Sequence, residues 1–128
     1  MTLFVDTNVL IKAFTDNEDR GKCRNVLREE FVTNTLCLVE AEHAISIITA
    51  DKQYASDCMK SLFKSSGVIV PLDKELLFQS SRLLKHSKLN KLNRFDLIHY
   101  STALINGCTE IISYDKHFDG LPLKRTEP

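Results

Sequence analysis

Apolar and polar positions alternate between two periods along this chain. Leu3-Phe4-Val5 is a short apolar run, and residues 2–5 read as a buried strand. Thr7 to about Phe14 reads as a short helix or turn, broken by Thr15-Asp16-Asn17. Residues 19–30 carry a helical pattern, with Val26 and Leu27 inward and Lys22, Arg24 and Arg28 largely outward. A short extended piece over 31–34 follows, then helices over 36–49 and 52–65. Gly67 stops the second of these, and Val68-Ile69-Val70 reads as a short buried strand ended by Pro71. Asp73 can cap a helix to about His86, and Asn93 can cap another that stops at Asn106-Gly107. Residues 110–113 form a further strand, and a last short one near Leu123-Lys124-Arg125 is compatible with the pattern. Strands alternating with helices imply an α/β fold with a mainly parallel sheet covered on both faces. The strand candidates are short, so helix should dominate.

Composition narrows the class. The 128 residues suit one domain over 1–128 with a real core, and 43% hydrophobic with 27% charged residues is ordinary for a soluble globular protein. No apolar run approaches the ~18 residues of a membrane span. No basic segment followed by an apolar stretch opens the chain, which favours the cytoplasm. Cys23, Cys37, Cys58 and Cys108 have no C-x-x-C spacing and read as free, buried thiols. Net charge is zero, so any nucleic-acid affinity has to come from local patches. The P-loop, G-x-G-x-x-G and G-x-S-x-G patterns are absent, which leaves nucleotide-binding and serine-nucleophile readings without support.

Four carboxylates carry the candidate chemistry. Asp6 ends the first strand, Glu40 lies on a helical stripe with Leu36, Ala44 and Ile47, Asp96 opens a helix, and Asp115 follows Ile111-Ile112. Each has an ordinary explanation. Glu40 could pair with a buried Arg. Asp96 suits a helix N-terminus three residues after Asn93, Asp6 could cap the helix that follows it, and Asp115 could be a turn residue. Glu42 falls on the opposite side of its helix and reads as a solvated charge. Together the four acids are harder to dismiss. Strand ends and helix starts meet at one edge of an α/β sheet, and four acids there would repel unless a cation neutralised them. Oxygen donors favour a hard ion such as Mg²⁺ or Mn²⁺. His99, His43 and His117 read as packed or hydrogen-bonded histidines in preference to ligands. Arg82, Lys85, His86, Lys88, Lys91 and Arg94 form a run without an intervening acid, either a solvated loop or a track for a phosphate backbone.

These residues resemble the motifs of PIN-domain nucleases, most closely of VapC-type toxins. The matching segments are Val5-Asp6-Thr7-Asn8-Val9-Leu10, Leu38-Val39-Glu40, Arg94-Phe95-Asp96-Leu97-Ile98-His99 and Ser113-Tyr114-Asp115-Lys116-His117-Phe118, with a similar ending over Leu123–Pro128. The resemblance implies a three-layer α/β/α fold, Mg²⁺- or Mn²⁺-dependent ribonuclease activity on an RNA substrate, a homodimer and a cognate antitoxin. It makes Asp6, Glu40, Asp96 and Asp115 the acidic quartet. It casts Asn8 and Ser113 as polar residues that orient those carboxylates. The family also includes nucleases of RNA maturation and quality control, and an inactive RNA-gripping module would share the fold.

Overall fold

Five short parallel strands form the centre of the molecule, which a computed structural model describes over residues 2–128. They are β1 (Leu3–Val5), β2 (Phe31–Asn34), β3 (Val68–Val70), β4 (Glu110–Ile112) and β5 (Lys124–Thr126), in the order β3-β2-β1-β4-β5. Phe4, Val5, Phe31, Val32, Ile111 and Ile112 are buried, as expected where helices cover both faces of a parallel sheet. Six helices supply that cover: α1 (Thr7–Ala13), α2 (Arg20–Arg28), α3 (Thr35–Thr49), α4 (Lys52–Phe63), α5 (Lys74–Arg82) and α6 (Arg94–Ile105). α1 packs on α2 and α3, and α3 on α4; α5 packs on α6, which lies across β1, β2 and β4. The result is the three-layer α/β/α arrangement read from the sequence.

Local chemistry explains the helix starts. Asp6, Asn34, Asp51, Asp73 and Asn93 each accept a backbone N–H of the helix they precede. Gly107, at φ 67°, takes the left-handed turn that ends α6. Gly67 has a different reason: a Cβ there would run into the Phe31 ring.

Several expectations need correction. The extended piece over 31–34 is a strand as expected, fully buried, whereas the last strand starts one residue later than read, at Lys124. β3 is an edge strand, so Val68 is 54% exposed where a buried strand was expected. The helix after Asp73 stops at Arg82 and continues only as a 3₁₀ turn over Leu83–Lys85. In α2, Cys23 fills the core while Val26 and Leu27 are half-buried. The largest difference is in α3. Its buried face is Cys37, Leu38, Ala41 and Ile45, and the stripe containing Glu40 lies at the edge of that face: Leu36, Glu40 and Ala44 are half-buried, and Ile47 is 65% exposed. Apolar residues surround this helix, so periodicity alone could not choose a face. All four cysteines are free and buried. No helix among the described residues is long and apolar enough to cross a membrane.

Candidate active site

The strand order reverses beside β1: the chain moves outward through β2 and β3, then returns to place β4 on the other side of β1. Loops leaving the carboxyl ends of β1 and β4 therefore part at this point and open a crevice. Asp6 follows β1 directly, and Ser113 follows β4. Asp6 is 5% exposed, with its Oδ1 accepting the Thr7 N–H at 2.8 Å and its Oδ2 the Ser113 hydroxyl at 2.6 Å. The Ser113 Oγ also accepts the Asp115 N–H at 2.9 Å, so one hydroxyl fixes the positions of two acids. Asp115 in turn starts a 3₁₀ turn over Lys116–Phe118 by accepting the His117 N–H at 2.9 Å.

Asp96 enters from the first turn of α6, where Asn93 holds its N–H at 2.8 Å. Its Oδ2 is buried without a hydrogen-bond partner, and no other buried side-chain oxygen or nitrogen among the described residues lacks one. Burial, then Asp115 and then Asp6 push its carboxyl up to about 6. One oxygen of Asp96, one of Asp115 and one ring nitrogen of His117 lie within 4.8 Å of one another. A buried, unpartnered carboxylate oxygen crowded by two further acids is the environment a divalent cation satisfies.

Glu40 is held differently. Its Oε1 accepts both the Thr7 hydroxyl at 3.0 Å and the His99 Nε2–H at 3.1 Å. The His99 bond holds its carboxyl below the usual range, against the cost of burial. The partner is thus a histidine, where the ion-pair alternative expected an arginine. Asn34 sets the tautomer of that histidine. Its Oδ1 accepts the Cys37 N–H at 2.8 Å, which aims its amide N–H groups at Thr102 Oγ1 (2.9 Å) and His99 Nδ1 (3.0 Å). The Thr102 hydroxyl is already committed to the Ile98 carbonyl, so it accepts from Asn34. Burial opposes a charge on His99, and Cys37, Glu40 and Asp6 favour one, the balance raising its proton affinity. A second proton would still have to displace the Asn34 N–H from Nδ1. The bonds therefore hold the neutral Nε2–H form.

The structure brings Asp96 and Asp115 together, ties Asp6 to them through Ser113, and links Glu40 through Thr7 and His99. Asn8 is exposed and makes no side-chain hydrogen bond to the described residues. The side-chain hydrogen bonds to Glu40 and Asp6 come from Thr7, His99 and Ser113. His99 had a sequence signal, three residues beyond Asp96 on the same helix; Asn34 had none. Arg82, Lys85, Lys88, Lys91 and Arg94 are all exposed, running from the end of α5 into α6. Arg94 is partly occupied, donating to the Leu77 carbonyl and the Ser81 hydroxyl. Lys91 lines a cleft of about 280 Å³ with Leu92, Asn93 and His117, which joins the basic run to the acidic cluster.

No curated protein matches the chain in sequence. Solved structures do match in fold. Mycobacterium tuberculosis VapC20, a sarcin–ricin loop cleaving toxin, aligns over 98% of this chain and 99% of its own at TM-score 0.79 and 12% identity. A toxin–antitoxin complex from Klebsiella pneumoniae contains a chain that aligns over 98% and 97% at TM-score 0.74 and 20% identity. VapBC2 from Rickettsia felis, bound to a promoter DNA fragment, aligns over 100% and 99% at TM-score 0.73 and 13% identity. Residues 3–123 match the PIN domain, and with that match over nearly its whole length the chain belongs to the PIN-domain family.

Proposed function

We propose that the whole chain is one nuclease domain that hydrolyses RNA phosphodiester bonds with Mg²⁺ or Mn²⁺, as the toxin of a toxin–antitoxin pair. The observation that carries this reading is the buried, unpartnered Asp96 Oδ2 beside Asp115 and Asp6. Asp96 and Asp115 would hold the ion, with Asp6 and Glu40 completing the acidic set. A bound divalent ion lowers the pKa of a water and stabilises charge on a phosphate. The chain's own residues supply orientation. Ser113 fixes Asp6 and the Asp115 backbone, while Thr7 and His99 occupy one oxygen of Glu40 and leave Oε2 open. Lys91 and its exposed neighbours would carry the phosphate backbone into the crevice. No covalent nucleophile is required, and the four free thiols suit the reducing cytoplasm.

Two partners belong to this proposal. Two of the structural neighbours come from toxin–antitoxin complexes, which supports a cognate antitoxin here. Val39, Ile47 and Phe63 on α3 and α4 are 64%, 65% and 63% exposed, more apolar surface than an isolated chain needs, which supports a homodimer. The test is cleavage of RNA by the purified protein with Mg²⁺, with Mn²⁺ and in excess EDTA. Cleavage should need the ion and should vanish in a folded Asp115→Asn variant. Undiminished cleavage in EDTA would overturn the proposal.

A further inference from the structure

We propose that His117 is a nitrogen ligand of the ion held by Asp96 and Asp115, and that it biases the site from Mg²⁺ toward transition metals such as Mn²⁺. The inference rests on the metal-dependent reading above and adds a donor which that reading does not use. Two observations carry it. A ring nitrogen of His117 already lies within 4.8 Å of an oxygen on each of the two acids. The buried Asp96 Oδ2 of the same group has no partner within the protein.

The local fold explains how an exposed ring stays beside the acids. Phe118 is fully buried and anchors the 3₁₀ turn, and the Asp115 carboxylate holds the His117 N–H. The backbone of His117 is therefore fixed, while its side chain is 76% exposed and restrained only by Nδ1 against Asp115 Oδ1 at 3.1 Å. Donors around an ion with bonds of about 2.1 Å stand ~3–4 Å apart. The ring is exposed and free of core packing, so it can adjust toward such a spacing. Lys91, Leu92 and Asn93 line the same cleft, and His117 brings the imidazole to that wall.

The chemistry of the donor sets the selectivity. Carboxylates and water suit Mg²⁺ well, and Mg²⁺ gives up water reluctantly. Imidazole favours transition ions, so exchanging a water for His117 should gain Mn²⁺ affinity while leaving Mg²⁺ nearly unchanged. The competing account is a simple ion pair between His117 and Asp115 that compensates charge in the metal-free protein.

Spectroscopy of bound Mn²⁺ separates the two. Titration of the full chain with Mn²⁺, followed by the free-ion electron paramagnetic resonance signal, gives the affinity. Electron spin-echo modulation of the bound ion then reports any directly coordinated ¹⁴N. The wild type should show nitrogen modulation, and His117→Ala should lose it and bind Mn²⁺ roughly tenfold or more weakly. Mg²⁺ affinity, read by competition against Mn²⁺, should change by less than about threefold. His43→Asn, an exposed histidine elsewhere on α3, should keep the modulation. Bound Mn²⁺ without nitrogen modulation, or modulation that survives His117→Ala, overturns this inference and leaves the metal-dependent reading standing. Absence of any Mn²⁺ binding overturns both.

Discussion

Replacing Asp96 with Asn should stabilise the metal-free protein, an unusual direction for a change at a candidate catalytic residue. In the folded chain this carboxyl is pushed to about 6 from an ordinary 3.8 by burial and by Asp115 and Asp6. A rise of that size corresponds to about 3 kcal/mol between the charged and neutral forms. The sign follows from linkage. Between those two values the native chain holds a proton that the unfolded chain has released, so stability falls as pH rises through the window. Above about pH 6 the whole cost is present, and below about pH 4 it is gone. The Asp96→Asn change would remove the charge but leave a buried amide short of partners, which costs ~1 kcal/mol. The net gain at pH 7.5 is therefore about 1–2 kcal/mol. For a chain of this size that raises the melting temperature by roughly 4–8 °C. Thermal melts in EDTA at pH 7.5 and pH 4.5 test it, and the advantage should shrink at the lower pH. Adding Mn²⁺ should reverse the ranking, because only the wild type gains binding energy, ~2.7 kcal/mol when the ion is at a hundred times its Kd. A variant that melts at or below the wild type in EDTA would refute the strain argument. Equal stabilisation of both proteins by Mn²⁺ would refute Asp96 as a ligand.

Glu40→Gln should behave oppositely and cost about 1 kcal/mol in EDTA, because Thr7 and His99 favour the carboxylate there; a gain in melting temperature would contradict the hydrogen bonds described. Long-range ¹⁵N–¹H NMR at neutral pH should find His99 protonated on Nε2 and bare on Nδ1. Protons on both nitrogens would mean that the Asn34 amide does not set the tautomer. Changing Lys88 and Lys91 together to Ala should weaken binding of single-stranded RNA and lower the slope of log K against log salt by about 1.4, if each lysine neutralises one phosphate. An unchanged slope would make the run a solvated surface.

What was legible in the sequence follows the range of the forces involved. Helix starts at Asp73 and Asn93 were readable because a cap satisfies backbone groups two or three residues away. The central strands were readable because burial on both faces leaves only apolar choices, as in Phe4-Val5 and Ile111-Ile112. The buried face of α3 was not, since a helix apolar all round takes its orientation from α1 and α4, which lie elsewhere in the chain. The partner of Glu40 was hidden for the same reason: His99 is 59 residues away, and its tautomer depends on Asn34, 65 residues away. β5 was faint because Lys124-Arg125-Thr126 carries no apolar signal; pairing with β4 at a sheet edge makes it a strand.

The magnitudes also say why this edge of the sheet calls for a cation and not merely for a polar environment. One device already favours negative charge at Asp96: it lies in the first turn of the twelve-residue helix α6, whose N-terminus contributes ~0.3–1 kcal/mol toward a carboxylate. Against it stand burial and two neighbouring acids, and the rise to about 6 corresponds to about 3 kcal/mol opposing the charge, more than the helix end returns. Solvation cannot relieve Oδ2, which water does not reach, and no protein donor is present to do so. The lysines of the adjoining run are exposed, where salt screens them and where one exposed charge pair is worth at most about 1 kcal/mol. A divalent ion held by Asp96 and Asp115, as proposed above, would supply what neither the helix end nor the surface lysines can. The same excess of acid that opposes the charge would then be the source of the affinity for that ion.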